Sequence, residues 1–345
     1  MSLFCKNYFK CFKYEYDLKK FVKLYEYDSP EFKVLVAVDS LTGEKTAGGT
    51  RFINGESREN ALKVVVLLAT TMSKKYKVSN GSFRGGKAFI YHSTLNRNEM
   101  LQLYAEVLNN INGDYYACDD MNTSVHDLYY MRQFTPYVVG LLYNNIQLPA
   151  TAYGVYVAIK SAVKTILNRD LKNVRVAVQG IGKVGYDLCK YLYNEGAKLY
   201  VQEIDEQKIT KLKQEIEFEI VNCQDDIACF EVDVLSLCAF GGGINSHNVN
   251  KVKAKIICGG ANNQLEDENL DEILYNNKIH FIPDFLANCG GVIDLTIPER
   301  EYSPENVFNA INVIGSQVEY FVNISKQKNI KISTCVYEYL TNKEV

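Results

Sequence analysis

A glycine-rich turn between a β-branched strand and a helix restricts the fold of this sequence more than any other feature. It lies in VRVAVQGIGKVGYDLCKYL (174–192), where Gly180, Gly182 and Gly185 form the pattern GxGxxG directly after the strand. In that setting the first glycine permits a tight turn, the second lets a pyrophosphate approach the backbone, and the third lets the helix pack closely on the strand. Exposed amides at the helix N-terminus then bind the phosphates. The segment predicts a Rossmann dinucleotide-binding domain.

The end of the next strand indicates which dinucleotide is bound. Glu203 follows the strand predicted over residues 198–202, where a carboxylate accepts hydrogen bonds from both adenine-ribose hydroxyls and repels a 2′-phosphate. We therefore expect NAD rather than NADP, held by the three glycines together with Lys183, Val184 and Glu203. A lone GxGxxG also occurs in turns of ordinary α/β proteins, but strand, glycines, helix, second strand and terminal acid in this order favour a cofactor site.

Helices and strands alternate after Pro149, which predicts a parallel, doubly wound sheet. Before Pro149 the pattern of apolar residues is mixed, with both helical and strand periods. The predicted strands are 33–38, 87–91, 174–179, 198–202 and 255–258, and the predicted helices are 58–75, 98–112, one from Thr151, one from Lys183, and 304–328.

The length of 345 residues and the hydrophobic content of 47% make two domains the default expectation. We predict an α/β protein with a catalytic and oligomerisation domain over residues 1–147, a Rossmann NAD-binding domain over 148–319, and a cleft between them. The C-terminal segment, about 320–345, is expected to return to the first domain.

Composition excludes several classes of function. A net charge of -3 and a pI near 5.9 give no general attraction for nucleic acid or a membrane surface, and no apolar run approaches the roughly 18 residues of a membrane span. The N-terminus lacks the apolar stretch of a signal peptide, and the ten cysteines include no CxxC pair, so we expect reduced thiols in a cytoplasmic protein. None of the four histidines has HExxH spacing, so no metal site is expected.

A second glycine cluster, GSFRGGKAFI (81–90), superficially matches the phosphate-binding pattern GxxxxGK. The next residue, Ala88, has no hydroxyl for Mg²⁺, so this interpretation fails. In the other interpretation, Gly85 and Gly86 let the backbone hold Lys87 in a partly desolvated place, where burial and nearby cations lower its pKa toward neutrality. Such a lysine can act as a base.

Three further charged residues accompany this lysine. Lys75 lies twelve positions before Lys87, and Asp119 and Asp120 follow in YYACDDMNTSV (115–125). Taken singly, each is most simply interpreted as a solvated surface charge. Composition alone does not change that interpretation.

Taken together, these motifs resemble the Glu/Leu/Phe/Val dehydrogenase family, most closely its branched-chain and aromatic members such as leucine dehydrogenases. The resemblance runs from about Val34 to Ile297. Its motifs are AGGTR (47–51), the Lys75 to Lys87 spacing, GGK (85–87), DD (119–120), PATAYGVY (149–156), GIGKVG (180–185), CAFGGGIN (238–245), GGANNQL (259–265) and PDFLANCGGVI (283–293).

The resemblance implies a reaction and a role for each site residue. Lys75 would bind the substrate carboxylate with help from Asn262, which also borders the cofactor, and Thr151 would lie near the nicotinamide. Lys87 would activate water and stabilise the carbinolamine, while Asp120 would exchange protons with the substrate nitrogen. An L-amino acid would thus be oxidised to its 2-oxo acid and ammonia, and the enzyme would be a homo-oligomer.

The same resemblance predicts an apolar substrate. Ala47 and Val292 occupy the positions at which glutamate-specific relatives carry a lysine and a hydroxyl residue, and neither can pair with a carboxylate. Ala47 also replaces a leucine of leucine-specific relatives, which opens space, whereas Cys118 replaces their alanine and fills some of it. With Gly48 and Gly49, these residues form the expected substrate pocket.

Departures from the family pattern leave other functions open. Tyr76 replaces a small or polar residue, and Arg84 replaces a glycine and would bring a fixed cation near Lys87. A catalytically weak paralogue that senses NAD or an amino acid is one alternative. Another is a hydroxy-acid dehydrogenase, which would use a histidine acid-base, although none of the four histidines stands in such a motif.

Overall fold

The structure, a computed structural model, describes residues 4–17, 20–40, 44–141, 148–297 and 299–342. It divides the chain into two units, Met1–Gln147 and Leu148–Val345. The last six residues of the predicted first domain and the last three of the predicted C-terminal segment lie outside the described residues.

The first unit is built on one six-stranded sheet. Its strands are β1 (Phe9–Asp17), β2 (Lys20–Asp28), β3 (Phe32–Val38), β4 (Thr46–Phe52), β5 (Arg84–Ser93) and β6 (Tyr115–Asp119). They are arranged in the order β1-β2-β3-β5-β4-β6. The β1–β2, β2–β3 and β3–β5 pairs are antiparallel, whereas β4 runs parallel to both β5 and β6.

Helices cover both faces of this sheet. They are α1 (Arg58–Val78), α2 (Arg97–Ile111) and α3 (Val125–Met131). Because successive side chains of a strand point to opposite faces, Leu35 and Ala37 of β3 pack with α1, while Val34 and Val36 pack with α2 and α3. The predicted strands at 33–38 and 87–91 and the predicted helices at 58–75 and 98–112 are confirmed within a few residues at each end.

The second unit contains a fully parallel sheet. Its strands are β7 (Arg175–Gln179), β8 (Lys198–Gln202), β9 (Glu219–Ile220), β10 (Val234–Leu237), β11 (Ile256–Ile257) and β12 (His280–Phe281). The order β12-β11-β10-β7-β8-β9 is the doubly wound Rossmann order, which changes direction between β7 and β10. The predicted parallel sheet is confirmed. In such sheets ligands bind at the carboxyl ends of the strands beside this change of direction.

Nine helices complete the described part of the second unit. They are α4 (Ala150–Leu167), α5 (Lys183–Asn194), α6 (Glu206–Lys213), α7 (Leu270–Asn276), α8 (Asp284–Ala287), α9 (Gly290–Asp294), α10 (Pro304–Ile311), α11 (Val313–Lys328) and α12 (Ile332–Asn342). None of the described helices is both long and apolar enough to cross a membrane.

The segment of about 320–345, which was expected to return to the first domain, is grouped by its contacts with the second unit. The Ser161 hydroxyl of α4 donates to the Gly315 carbonyl of α11 at 2.7 Å, and the Tyr337 ring of α12 lies 5.7 Å from that of Phe285. The cause is the apolar face of α11, which is buried within the second unit. The single helical stretch predicted over 304–328 is also interrupted at Asn312.

Candidate active site

Gly48 and Gly85 let strands β4 and β5 and helix α1 approach each other closely. The amide of Gly85 donates to the Ser73 hydroxyl of α1 at 2.8 Å, and a Cβ on Gly85 would overlap the backbone of that helix. A Cβ on Gly48 would overlap the Gly86 carbonyl oxygen of the neighbouring strand. At Gly85 and Gly48, the backbone near Lys87 therefore occupies positions that only glycine permits.

Lys87 lies in β5 and forms an ion pair with Asp120, the residue directly after β6. Its Nζ is 2.9 Å from Asp120 Oδ2, and Lys87 is only 7% exposed. Gly49 of β4 leaves room for this contact, because a Cβ there would lie 2.9 Å from the lysine Nζ and 2.8 Å from the Asp120 Cβ. The structure thus brings together Lys87, Asp120 and Gly49 from three strands.

The Asp120 backbone is held by a hydroxyl. Its amide donates to Thr123 Oγ1 at 2.9 Å, and that hydroxyl donates to the Thr50 carbonyl oxygen of β4 at 2.6 Å. Asp120 therefore has a defined position relative to β4, although it lies just beyond the end of β6.

A second cation shares the Asp120 carboxylate. Arg51 Nε lies 3.1 Å from the same oxygen, Oδ2. Arg84 was expected to be the cation near Lys87, but its guanidinium instead binds Glu44 at 2.9 Å. Arg51 belongs to the AGGTR motif, yet its role could not be inferred because its partner lies 69 positions away in the sequence.

Burial and these charges shift the pKa values of both Lys87 and Asp120. Burial lowers the pKa of Lys87 below its ordinary value and outweighs the opposing effect of Asp120, while Arg51 adds to the lowering. Burial alone would raise the pKa of Asp120, but Lys87 and Arg51 outweigh it, so the pKa is lowered. The site therefore combines an ionised carboxylate with a lysine that loses its proton more readily than a solvated one.

Three of the predicted pocket residues lie on the same face of this sheet as the ion pair. Ala47 and Gly49 point to one side of β4 because they are two residues apart, and Cys118 of β6 pairs directly with Gly49. Ala47 and Cys118 are both buried. Burial raises the pKa of the Cys118 thiol, which donates to Asp119 at 3.3 Å, so the thiol is neutral.

The other predicted substrate residues lie elsewhere in the chain. Lys75 is in the last turns of α1, two residues after Ser73. Asn262 and Val292 belong to the second unit, together with the predicted cofactor residues.

In the second unit, the three motif glycines have three different environments. Gly180 has a φ of +82°, and a Cβ on Gly185 would overlap the Gly180 carbonyl oxygen. A Cβ on Gly182, by contrast, would meet no heavy atom of the described residues within 4 Å. Packing therefore explains the first and third glycines but not Gly182, which faces open space at the N-terminus of α5.

Glu203 connects the end of β8 to this turn. Its Oε2 accepts from the Ile181 amide at 2.8 Å, and its Oε1 accepts from the amides of Ile204 and Asp205 at 2.9 and 3.1 Å. Burial would raise the pKa of Glu203, but these three amides outweigh it, so the carboxylate is ionised at neutral pH. At the start of α5, Lys183 is exposed and Val184 lies against Gly260.

A separate group of residues surrounds the start of α4. Gly291 lies against Thr151 of that helix, since a Cβ on Gly291 would be 2.8 Å from the Thr151 hydroxyl. The buried Asn288 donates from Nδ2 to Asn262 Oδ1 at 3.0 Å and to the Gly260 carbonyl at 3.3 Å. Asn288, which orients Asn262, was not predicted although it stands in the PDFLANCGGVI motif.

Two exposed apolar side chains were also missed. Ile204 is 80% exposed directly after Glu203, and Phe240 is 79% exposed in the loop after β10. Strands β8 and β10 are the two neighbours of β7. The two side chains therefore follow strands on either side of the glycine turn, where burying them against a ligand would be favourable.

Comparison with known proteins finds one matching family and several similar proteins. A profile of the Glutamate/Leucine/Phenylalanine/Valine dehydrogenase family matches residues 144–203 and 199–297. The chain is 33% identical over 329 residues to a leucine dehydrogenase of Geobacillus stearothermophilus (91% of this chain, 89% of the relative). It is 32% identical over 283 residues to a phenylalanine dehydrogenase of Caldalkalibacillus thermarum (79% and 76%). The crystal structure of L-tryptophan dehydrogenase from Nostoc punctiforme superposes with a TM-score of 0.81 at 30% identity (91% and 92%).

Proposed function

The chain belongs to the Glutamate/Leucine/Phenylalanine/Valine dehydrogenase family, and from that membership we propose that it catalyses the reversible NAD-dependent oxidative deamination of an apolar L-amino acid to its 2-oxo acid and ammonia. The observation that carries the proposal is the ion pair between the buried Lys87 and the half-buried Asp120, 2.9 Å apart. Such a pair provides one base and one proton-exchanging acid beside the same carbon, which the two halves of this reaction require.

The proposed proton transfers are divided between the two residues. Asp120, ionised at neutral pH, accepts a proton from the substrate ammonium. NAD, which Gly180, Gly182 and Glu203 would hold, would supply the acceptor for the hydride that leaves Cα. Lys87, as the free amine, then accepts a proton from the water that attacks the imine carbon. Asp120 returns its proton to the nitrogen of the resulting carbinolamine. The carbinol hydroxyl then gives its proton to solvent as the C–N bond breaks, so that the 2-oxo acid forms and ammonia leaves, and Lys87 releases its own proton to solvent. Lys75, with Asn262, is proposed to hold the substrate carboxylate throughout.

The second unit fits a dinucleotide. The open space at Gly182 would admit a pyrophosphate next to the amides of α5, and Thr151 and Asn262 would border the nicotinamide. The exposed Ile204 and Phe240 would cover the adenine ring, which both NAD and NADP carry. The ionised Glu203 supports NAD, because it would repel a 2′-phosphate.

An apolar substrate is supported by the residues at the proposed pocket. Ala47 and Val292 cannot pair with a side-chain carboxylate, and burying an unpaired carboxylate costs several kcal/mol. The relatives named above act on leucine, phenylalanine and tryptophan, which agrees with this choice. We further propose a cytoplasmic homo-oligomer; all ten cysteines are free thiols, as expected in a reducing compartment.

The test is a screen of the twenty amino acids for NADH formation at alkaline pH, followed by Lys87→Ala and Asp120→Asn. Each variant should lose about 10²- to 10⁴-fold in kcat while NADH binding, measured by fluorescence titration, persists. Lys63→Ala provides a matched control, because Lys63 pairs with Glu59 on the exposed surface of α1.

The outcomes separate the proposal from its alternatives. Near wild-type kcat in both variants would exclude this catalytic pair. Binding of NADH without turnover of any amino acid would instead favour a sensor.

A further inference from the structure

We propose that Arg51 is a positioning residue for this reaction, which holds the Asp120 carboxylate in place and offsets its charge so that Lys87 can give up its proton. The inference rests on the proposed function, in which Lys87 acts as a base. It gives the arginine of AGGTR a role of its own, in addition to the space that Gly49 of this motif leaves for the Lys87–Asp120 contact.

The geometry places Arg51 on the same oxygen as the lysine. Asp120 Oδ2 lies 2.9 Å from Lys87 Nζ and 3.1 Å from Arg51 Nε. The parallel pairing of β4 with β6 aligns Thr50 with Asp119, and so brings the next residue of each chain segment, Arg51 and Asp120, side by side. Arg51 also lies two residues after Gly49, and therefore on the face of β4 over which the lysine Nζ extends.

The charge balance gives this contact a chemical consequence. In an isolated Lys87–Asp120 pair, the carboxylate would favour the protonated lysine and hold the proton on it. With Arg51 present, two cations share one anion, and the repulsion between the cations favours the neutral amine. The lowered pKa of Lys87, in which burial is the largest cause and Arg51 adds to the lowering, agrees with this geometry.

The other groups near Lys87 are the same in every variant of the test. Strand β3 places the uncharged Ala37 opposite it. From β6, Cys118 is a neutral thiol bonded to the Asp119 carboxylate. The adjoining helix α1 carries Lys75 and Tyr76 in its last turns. All of these groups stay unchanged in the variants below, so a change in titration reports on position 51.

The experiment is the pH profile of kcat/KM for deamination at saturating cofactor. Arg51→Gln removes the charge but keeps an amide donor. Its acid limb should move to higher pH by roughly one unit, the size typical of a neighbouring charge, so that activity at a fixed pH on the limb falls by about tenfold. The alkaline plateau should fall less. Arg51→Lys keeps the charge and should leave the limb close to its wild-type position.

A matched control removes another arginine of the same sheet. Arg84→Gln breaks the 2.9 Å pair with Glu44 and should leave the limb unmoved. A reduced plateau with an unmoved limb in Arg51→Gln would overturn the inference, because it indicates a purely structural role. If that variant does not fold, as judged by circular dichroism, an Arg51→Lys limb shifted by a full unit would overturn it.

The Lys87→Ala variant distinguishes a failure of the proposed function from a failure of the inference about Arg51. If this variant retains activity with the wild-type limb, Lys87 is not the base and the proposed function is mistaken at this site. If it is inactive while Arg51→Gln leaves the limb in place, only the inference about Arg51 fails.

Discussion

At the scale of single residues, the candidate site depends on positions without side chains. Gly49 leaves room for the Lys87–Asp120 contact, and Gly48 lies against the Gly86 carbonyl. A catalytic lysine on a buried strand needs this clearance, because packed interiors have little free volume for a long polar side chain. The glycines thus contribute to the proposed chemistry through the space that they leave.

Ala47 is expected to set the size of the substrate. It is buried on the face of β4 that also carries Gly49, so Ala47→Leu adds about three methylene-sized groups to this wall. Each methylene discriminates by about 1 to 3 kcal/mol. The variant should lower kcat/KM for phenylalanine and tryptophan relative to leucine and valine.

The measurement is kcat/KM for these four amino acids and glutamate, with thermal unfolding as a check on overpacking, which costs typically 1–3 kcal/mol. An unchanged ratio of aromatic to aliphatic activity would remove Ala47 from the pocket. Wild-type activity on glutamate above that on all the apolar amino acids would contradict the proposed substrate class.

The family resemblance led us to expect Lys87 and Asp120 at one site, but not Arg51. Lys87 and Asp120 were expected at one site, and they lie 2.9 Å apart. Arg84 was expected near Lys87 and Arg51 was not considered, because strand pairing decides which arginine reaches Asp120, and Glu44 binds Arg84. Long-range pairing of this kind leaves no local pattern in a single sequence.

At the scale of elements, prediction succeeded where the signal is local. The strand at 198–202 and the start of the helix at Lys183 agree with β8 and α5 to the residue, because β-branched runs, glycines and helix starts act over a few positions. Strands β1 and β2 were missed. In FKCFKYEYD (9–17) lysines interrupt the aromatic residues, and this edge hairpin is defined mainly by its pairing with β3.

Glu203 allows a test of the turn that joins β7, α5 and β8. Glu203→Gln removes its charge but keeps an acceptor for the amides of Ile181, Ile204 and Asp205, whereas Glu203→Ser removes both. The proposed preference for NAD should weaken in both variants, because the repulsion of a 2′-phosphate is lost. The Ser variant should also bind NAD more weakly.

The measurement is kcat/KM for NAD and NADP in parallel. Equal values for the two cofactors in the wild type would refute the NAD assignment. A Gln variant that still discriminates as strongly as the wild type would show that the charge of Glu203 is not the cause.

At the scale of the whole molecule, carboxylates that are buried or half-buried in both units predict an acid limit to stability. Burial tends to raise the pKa of Asp114, Asp127 and Asp233. Lys23 outweighs burial for Asp114, Arg97 does so for Asp127, and the Arg175 amide together with Lys255 does so for Asp233. Each folded pKa is therefore lowered. A lowered folded pKa stabilises the fold above the unfolded value, about 3.9, and that stability is lost as pH falls through the folded pKa.

Two other carboxylates act in the opposite direction. Burial raises the pKa of Asp271 and Asp294, so the folded state takes up these protons first and gains stability as pH falls toward about 4. The Tm should therefore hold from neutral pH to about pH 4 and fall steeply below it. Asp233→Asn should flatten the fall, and a Tm that is constant down to pH 3 would contradict the assignment.

The division of the candidate residues between the two units has an evolutionary consequence. Lys87, Asp120 and Arg51 are fixed by contacts within the first unit, and Glu203 is fixed by backbone amides of the second. We therefore expect that substitutions around the end of β8 can exchange one proposed nucleotide for another without rebuilding the proposed acid-base pair. Coenzyme preference can then diverge in evolution while the acid-base residues are conserved.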